Sequence, residues 1–379
     1  MPQDPTATSD VAVIGGGVIG LAVAWRAAQR GLSVCVLERG ELGAGASHVA
    51  AGMLAPVTEA DAGELALLEL GLRSARAWPA FAQELEQASG ADPGLRRSGA
   101  LVVARDRDEA EALERELALR LELGLDVQRL LPSAARRLEP ALAPTVRLAL
   151  DVPGDHCADP RAVVLALAEA ARRAGVTLRT GAQVQRVEHA RGRVTAVGLA
   201  GGEVVRADRV VAAAGAWSGA IGGLPRIPVR PVKGQILRLR DPAGAGMLER
   251  IVRFEGGYLV PRGDGRYVLG ATMEERGFDT TVTAGGLYEL LRDAGELVPG
   301  VQELVVEETS AGLRPATPDN APLLGPAAEL EGLHWATGHH RNGILLAPVS
   351  ADIVVDGLRR GGGAVPAAFA AARFTGVHA

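Results

Sequence analysis

A glycine-rich junction near the start of the chain constrains its fold more than any other feature. Residues 11–14 are continuously apolar and predict a short buried strand, whereas the residues from Gly20 onward contain few helix breakers and predict a helix. Gly15, Gly17 and Gly20 lie at this junction in a G-x-G-x-x-G pattern. In this pattern the first glycine permits a tight turn, the second lets the backbone approach a pyrophosphate, and the third lets the helix lie close to the strand. The junction therefore predicts an α/β dinucleotide-binding unit with the phosphates at the helix N-terminus.

A second apolar run follows at the spacing that this motif requires. Residues 33–37 predict another strand, and Glu38 ends it about twenty residues beyond the glycines. A carboxylate at this position can accept hydrogen bonds from both ribose hydroxyls and would repel the 2′-phosphate of NADP. The alternative is a glycine-rich turn in an ordinary α/β protein, which would leave the agreement of strand, helix and acid to chance.

The apolar stretch of residues 11–25 also allows a signal peptide or a membrane anchor. Residues 1–10 carry two Asp and no Lys or Arg, and the glycines interrupt the run, so the sequence predicts neither export nor membrane spanning. Cys35 and Cys157 lack the spacing of a metal or redox pair, and the neighbours His339 and His340 make no complete metal site. We therefore expect a cytoplasmic protein without a bound metal.

Length and charge limit the organisation and the partners. A chain of 379 residues, 47% of them hydrophobic, can bury a large core and divides more readily into two domains than one. The net charge of −5 is small, and the sequence contains no basic tract or aromatic-plus-basic cluster. We therefore expect neither a nucleic-acid nor a membrane partner.

The middle of the chain has the pattern of a second domain. Period-two alternation with glycine-rich turns dominates residues 227–308 and predicts an antiparallel sheet with one covered face. Residues 284–297 predict a helix that completes this domain, and residues 88–150, which contain no cofactor-like motif, are a candidate for its first piece. Residues 207–218 and 333–348 each place a glycine turn after an apolar strand, as the first motif does.

Several short motifs together resemble a known family. They are the glycine pattern, Glu38-Arg39, Ala46-Ser47 and the run Ala50-Ala51-Gly52-Met53-Leu54. These motifs are similar to those of the D-amino-acid-oxidase family of FAD-dependent oxidoreductases and, within it, most similar to those of the glycine oxidases. The resemblance implies an α/β fold with a Rossmann-like FAD-binding domain and a substrate domain built on an antiparallel β-sheet with helices. We expect residues 1–87, 151–225 and 309–379 to form the FAD-binding domain, and residues 88–150 and 226–308 the substrate domain.

The resemblance implies one non-covalently bound FAD. It places the flavin pyrimidine ring at the N-terminus of the helix that follows Gly338. Ser47 is also a candidate helix N-cap, among small residues that permit close backbone approach to a flat ligand. The residues expected to bind FAD are Gly15, Gly17, Val18, Ile19, Gly20, Glu38, Arg39, Ala46, Ser47, Ala51, Gly52, Met53, Val184, Ala214, Gly215, Trp217, Gly338, His340, Arg341, Asn342, Gly343, Ile344 and Leu345.

Amine oxidation by hydride loss to a flavin requires orientation of the substrate more than acid–base catalysis. An arginine suits this task because its planar fork binds a carboxylate through two parallel hydrogen bonds. The resemblance assigns this role to Arg314, after a predicted strand, with an inter-domain ion pair as the alternative. It adds Arg341 and the hydroxyl of Tyr258, whose alternatives are a helix-start arginine that binds backbone carbonyls and an ordinary strand aromatic. Met53 and Met273 are candidates for an apolar wall beside the substrate or for the core.

Three other polar side chains need an assignment. His48 and His339 are conceivable bases or points of flavin attachment, but the resemblance requires neither role. Lys233 is the only lysine of the chain and lies in Pro231-Val-Lys-Gly-Gln235. We expect it to be exposed; a buried lysine with an adjustable pKa would instead be a candidate proton donor.

The resemblance also implies an activity. It implies oxidative deamination of glycine, and of sarcosine and small D-amino acids, to the imine and then glyoxylate, with ammonia and hydrogen peroxide as further products. Molecular oxygen is then the second substrate, and a functional link to thiazole synthase in thiamine biosynthesis follows. Sarcosine oxidase and D-amino-acid dehydrogenase are alternatives within the family, and a non-catalytic dinucleotide-binding redox sensor is one outside it. The sequence does not fix the oligomeric state and leaves a homo-oligomer open.

Overall fold

The computed structural model describes residues 8–244, 246–359 and 365–374. The strands, in chain order, are β1 (Ser9–Ile14), β2 (Val34–Leu37), β3 (Met53–Leu54), β4 (Ala100–Ala104), β5 (Gln128–Leu130), β6 (Leu148–Val152), β7 (His156–Cys157), β8 (Thr177–Arg179), β9 (Val184–Ala190), β10 (Arg193–Leu199), β11 (Val204–Ala212), β12 (Arg230–Arg240), β13 (Ile251–Phe254), β14 (Gly257–Pro261), β15 (Arg266–Gly270), β16 (Val305–Ala316), β17 (Leu323–Pro326) and β18 (Leu333–Thr337). The α-helices are α1 (Val18–Gln29), α2 (Ala46–Val49), α3 (Leu65–Ser89), α4 (Arg107–Glu122), α5 (Pro132–Leu138), α6 (Pro160–Arg173), α7 (Ala284–Leu297) and α8 (Gly343–Leu358).

One sheet has the parallel arrangement of a dinucleotide-binding fold. Its order is β17-β18-β11-β1-β2-β8, with β17 as an antiparallel edge strand; β10 pairs antiparallel with β11, and β9 pairs antiparallel with β10. Helices α1, α3, α6 and α8 pack on one face. Because β1 and β11 are parallel neighbours, with Ile14 opposite Ala212, the turns that follow them lie side by side at one edge of the sheet.

The first glycine turn is shaped by close backbone contacts. Helix α1 begins at Val18, two residues before the predicted start, with Gly17 as its N-cap. Gly15 has a φ of 107°, and a Cβ atom there would lie 2.5 Å from the carbonyl oxygen of Ala213. A Cβ atom on Gly20 would overlap the carbonyl oxygen of Gly15. The predicted roles of Gly15 in the tight turn and of Gly20 in close helix packing are therefore seen in the fold.

The second sheet is largely antiparallel and is covered on both faces. Its order is β16-β12-β15-β14-β13-β4-β6-β5, and only β13 and β4 pair in parallel. Ile236 and Leu237 are neighbours on β12 and point to opposite faces, yet both are buried: Ile236 in a cluster with Leu113 of α4, and Leu237 in one with Leu290 of α7. The prediction of a single covered face is therefore wrong, because helices pack on both sides. The predicted helix over residues 284–297 is confirmed as α7.

Two strands cross boundaries that were expected between the domains. Strand β6 crosses the boundary expected at residue 150, and β16 continues to Ala316, past the boundary expected at 308. Strand β16 pairs with β12 along its whole length, so Arg314 lies within a strand of the second sheet and does not follow one, as the sequence had suggested. Outside these strands the assignment of domains stays a prediction.

Within the described ranges, no helix combines the length and apolar character needed to cross a membrane. Cys35 and Cys157 are both free thiols and both buried.

Candidate active site

A cavity of about 1300 Å³ lies between the two sheets. Its lining comes from the turns after β1 and β11, the small residues around α2 and β3, the start of α8, and strands β12, β14 and β16. This volume exceeds the roughly 300–1,000 Å³ of an ordinary small-molecule site. It is therefore large enough for a dinucleotide together with a small substrate.

The N-terminus of α1 forms one wall of the cavity. Gly15, Gly17, Val18 and Ile19 line it, and the first turn of α1 carries no acidic side chain. The hydroxyl of Ser47 accepts a hydrogen bond from the Val18 N–H at 3.0 Å, so Ser47 caps α1 from a distant part of the chain and not its own short helix α2. The helix dipole and the glycine backbone make this wall suitable for a pyrophosphate.

Glu38 lies beside the glycine turn, as its spacing predicted. Its carboxylate accepts hydrogen bonds from the Gly16 N–H at 2.7 Å and from the Gly40 N–H at 3.0 Å. These bonds hold the turn in place. Because each carboxylate oxygen has a second lone pair, acceptor capacity remains for the ribose hydroxyls, and that assignment stays a prediction.

Arg39, Trp217 and Phe278 stack on one another at the cavity wall. The guanidinium carbon of Arg39 lies 3.7 Å from the centroid of the Trp217 ring, and the Trp217 and Phe278 rings are 5.5 Å apart. Arg39 and Trp217 follow strands of the first sheet, whereas Phe278 follows β15 of the second. The stack therefore joins the two halves of the molecule across the cavity.

The two histidines before α8 line the cavity but are poor bases. Burial lowers the pKa of His339 to about 3, and its Nε2 lies 2.9 Å from the Ser350 hydroxyl. Burial, together with the neighbouring Arg341 charge, lowers the pKa of His340 to about 3 as well. His48 does not line the cavity. The expectation that neither His48 nor His339 acts as a base stays a prediction.

Arg341 lines the cavity with its charge already paired. Its Nε lies 2.7 Å from Glu59 Oε2 and its Nη2 lies 3.3 Å from Glu64 Oε2. Asn320 donates a further hydrogen bond to Glu64 at 2.6 Å. These are side-chain partners, in contrast to the alternative of backbone carbonyls. A direct role of Arg341 toward the substrate stays a prediction.

Arg314 differs from Arg341 in lacking an acidic partner. Its Nη1 donates to the carbonyl oxygens of Lys233 at 3.3 Å and Thr272 at 3.1 Å, and within the described ranges no carboxylate forms an ion pair with it. The inter-domain ion pair considered as an alternative is thus not observed. Tyr258 lines the same cavity; burial raises the pKa of its phenol, and the nearby Arg314 guanidinium opposes that rise. The cavity wall therefore offers a positive charge beside a protonated hydroxyl.

The two methionines line the cavity in different ways. Met53 is half-buried on β3, whereas the Met273 side chain is 65% exposed. Met273 is thus not a core residue, because it lies in an irregular segment at the surface, and its role as an apolar wall beside the substrate stays a prediction. It borders the cavity from an exposed position.

Lys233 is buried, so the expectation that it is exposed to solvent is wrong. Its side chain is 1% exposed, and its Nζ lies 2.7 Å from Asp279 Oδ2 and 3.6 Å from Glu274 Oε2. The hydrogen bond that the Lys233 ammonium donates to the Asp279 carboxylate raises the lysine pKa. A raised pKa keeps the ammonium charged, which disfavours the proton-donor role considered for a buried lysine.

Three residues expected at the cofactor lie outside the cavity lining. Gly20 packs α1 on the turn, and Gly338, with a φ of 76°, would place a Cβ atom 2.8 Å from Thr317. Leu345 is part of the core, and its carbonyl oxygen accepts hydrogen bonds from Ser74 and Trp78. The remaining residues of the predicted set, from Gly15 to Ile344, line the cavity.

Sequence reasoning missed Glu59, Gly234 and Thr272, which also line the cavity. Glu59 pairs with Arg341 across a long stretch of chain, and Thr272 contacts Arg314 through its backbone alone. No local pattern signals either contact. Gly234 follows Lys233 in the segment Pro231-Val-Lys-Gly-Gln235, which was noted for its lysine. A glycine within a strand often marks the close approach of another group, and this was the available signal.

Comparison with known proteins agrees with this geometry. Residues 10–357 match the profile of the family described as "DAO: FAD dependent oxidoreductase". A glycine oxidase of Geobacillus kaustophilus is 37% identical over 357 residues, which cover 93% of each chain. A crystal structure of glycine oxidase from that species has a TM-score of 0.91 at 36% identity and covers 97% of this chain and 99% of the other. A bifunctional protein ThiO/ThiG of Trichormus variabilis is 37% identical, and the match covers 92% of this chain but 52% of that longer protein.

Proposed function

The chain belongs to the DAO family of FAD-dependent oxidoreductases, and we propose that it oxidises glycine with oxygen to glyoxylate, ammonia and hydrogen peroxide. The observation that carries the substrate class is the state of Arg314, a guanidinium in the cavity wall that donates to two backbone carbonyls and has no acidic partner among the residues the structure describes. The relatives named glycine oxidase support the choice of glycine. They also count against a non-catalytic redox sensor, because they are enzymes.

The residues present fit FAD. A Cβ atom added to Gly17 would lie 3.3 Å from the Ser47 hydroxyl oxygen. The glycine therefore leaves the backbone at the N-terminus of α1 accessible to a ligand. The glycine turn would hold the pyrophosphate, Glu38 the ribose, and the start of α8 the flavin ring. When bound, FAD accepts the hydride that leaves the substrate α-carbon.

The chain contributes binding and orientation. The planar fork of Arg314 binds the substrate carboxylate, and the Tyr258 phenol, protonated because burial raises its pKa, donates a hydrogen bond. With the carboxylate fixed, the α-carbon can present its hydrogen to the flavin from one side only. We therefore expect L-amino acids with large side chains to fail as substrates.

The site is expected to discriminate less strongly among substrates of different size than among substrates of different charge. One methylene more or less in an apolar pocket changes selectivity by only about 10–200-fold. Sarcosine, D-alanine and D-proline are therefore expected to be weaker than or comparable to glycine. This small difference keeps sarcosine oxidase as the nearest alternative.

The proposed reaction is tested by anaerobic mixing of the holoenzyme with a panel of amino acids. Glycine is expected to bleach the flavin absorbance, and re-aeration is expected to restore it with release of one peroxide per turnover. Electron transfer to an artificial acceptor without peroxide would indicate a dehydrogenase. Rapid bleaching by a bulky D-amino acid, with none by glycine, would contradict the assignment of glycine.

We expect one FAD per chain, held without a covalent bond. The two histidines that line the cavity are both buried, and the predicted mode of binding relies on backbone and side-chain contacts. Acid precipitation of the purified protein is expected to release yellow flavin into the supernatant. Colour that remains with the precipitated polypeptide would contradict this prediction.

We also infer a functional link to a thiazole synthase. The bifunctional relative ThiO/ThiG, of which this chain matches about half, supports such a link. The imine product would then have a direct use before its hydrolysis. A homo-oligomer and a cytoplasmic location remain predictions.

A further inference from the structure

Arg314 rests on a surface built by the backbone of two other segments. A Cβ atom added to Gly234 would lie 2.6 Å from Cζ of Arg314, so the guanidinium packs directly on the glycine backbone. Gly234 lies opposite Gly312 on the strand that carries Arg314. The carbonyl oxygens of Lys233 and Thr272 accept hydrogen bonds from the same guanidinium nitrogen. We name these three residues, Lys233, Gly234 and Thr272, the arginine seat.

The arginine seat consists of residues from two segments, β12 and the connection between β15 and α7, and Lys233 forms contacts between them. Thr272 belongs to residues 271–283, which connect β15 to α7 without forming a helix or a strand and which we name the strap. Lys233 and Glu274 exchange backbone hydrogen bonds of 2.9 and 3.0 Å. The Lys233 ammonium also reaches Asp279 of the strap, at 2.7 Å.

Contacts with Gln235 of β12 also attach the strap. The Thr272 hydroxyl accepts a hydrogen bond from the Gln235 N–H at 2.9 Å. Lys233 itself is buried, so its ion pair with Asp279 is partly shielded from solvent. Thr272 is therefore bound to Gln235 of β12. The strap residues Glu274 and Asp279 that follow it are bound to Lys233.

We propose that Gly234 is a specificity-determining residue for carboxylate binding and that Lys233 is a positioning residue that acts through the strap. Because Gly234 has no side chain, the Arg314 guanidinium can lie flat on the glycine backbone. The carbonyls of Lys233 and Thr272 hold the guanidinium in an orientation that faces the cavity. The Lys233–Asp279 ion pair keeps Thr272 at the distance this arrangement needs. The inference rests on the proposed function only for the identity of the substrate.

The test measures carboxylate binding without turnover. Acetate, which is glycine without its amine, is titrated into the FAD-loaded enzyme, and its Kd is read from the change in flavin absorbance. Displacement of the guanidinium in Gly234→Ala is expected to weaken acetate binding by about 10- to 100-fold, since a misplacement of about 1 Å can cost 10²-fold. Lys233→Met is expected to weaken it less, by about tenfold, because its effect passes through the strap.

The control is Gly198→Ala, a strand glycine; the atoms nearest to its added Cβ atom belong to the flexible side chain of Arg186, the first at 3.2 Å. Its acetate Kd is expected to equal that of the wild type. FAD content and Tm are measured for every variant, because a merely structural role would lower these and leave the acetate Kd of the loaded enzyme unchanged. The KM for glycine is expected to rise in Gly234→Ala by a larger factor than kcat falls.

Each outcome decides the proposal. Wild-type acetate affinity in loaded Gly234→Ala would overturn the role of Gly234, and wild-type affinity in Lys233→Met would overturn that of Lys233. If Gly234→Ala does not fold, the result with Lys233→Met decides whether the seat exists. A wild-type enzyme whose flavin spectrum ignores acetate would contradict the seat as a carboxylate-binding device. The expected order of acetate affinities without glycine turnover would instead contradict the proposed substrate alone.

Discussion

Replacement of Arg314 by alanine is expected to lower kcat/KM for glycine by about 30- to 5,000-fold, which corresponds to about 2–5 kcal/mol. The reason is that the variant loses a guanidinium of the cavity wall that binds backbone carbonyls and that, among the residues the structure describes, forms no ion pair with an acidic side chain. Arg341, also at the cavity, cannot readily replace it, because Glu59 and Glu64 already pair with its charge. The flavin absorbance spectrum is expected to remain that of the wild type.

Steady-state kinetics and the flavin spectrum check this expectation together. Arg230→Ala is a matched control, because Arg230 lies on the neighbouring strand β12, is half exposed and does not line the cavity. Its Nη1 lies 2.9 Å from Glu275 Oε1. A surface ion pair of this kind contributes little, so kcat/KM is expected to stay near the wild-type value. An unchanged kcat/KM in Arg314→Ala would remove Arg314 from the substrate site.

Among the substitutions considered, Gly20→Ala is expected to lower the free energy of unfolding and the amount of bound flavin the most. In an ordinary helix this change would be favourable, but here the new methyl group would overlap the Gly15 carbonyl oxygen. Helix α1 must then move away from β1 and the glycine turn. Overpacking of this kind costs about 1–3 kcal/mol, and more where a rigid backbone is the obstacle. The displaced turn would also lose its geometry for the pyrophosphate.

Thermal unfolding and the flavin content of the purified protein measure both effects. Gly285→Ala is the matched control, because Gly285 is an exposed helical glycine in α7 whose added Cβ atom would meet nothing within 4 Å. That change is expected to leave the fold unaltered or to stabilise it by about 0.5–1 kcal/mol. A Gly20→Ala protein with wild-type Tm and full flavin content would show that α1 does not need this close approach.

Local spacing explains why much of the cofactor site could be predicted. The turn after β1 depends on consecutive residues, and Gly15, Gly17 and Glu38 occupy positions that the backbone geometry of strand, turn and helix dictates. Most of the expected cofactor residues consequently line the cavity, and FAD as the cofactor is confirmed by the family match. Gly20 was expected for the correct reason but packs behind the cavity, since its role is in the spacing of the helix.

Period-two patterns were less informative about burial. The alternation in β12 correctly indicated an antiparallel sheet, yet both Ile236 and Leu237 are buried. An alternating pattern records which residues share a face, but the coverage of each face depends on helices from elsewhere in the chain. The position of Arg314 inside β16 has the same cause, because the end of a strand is set by its pairing with β12.

The sequence by itself determined the dinucleotide turn, the family and the type of each sheet, because these follow from residues that are close in the chain. Only the tertiary structure distinguished Arg314 from Arg341, since the difference lies in whether Glu59 and Glu64 reach the guanidinium. It also decided that Lys233 is buried against Asp279 of the strap. The state of a charged side chain depends on which opposite charges and backbone carbonyls the fold brings within a few ångströms, and residues distant in sequence supply those partners.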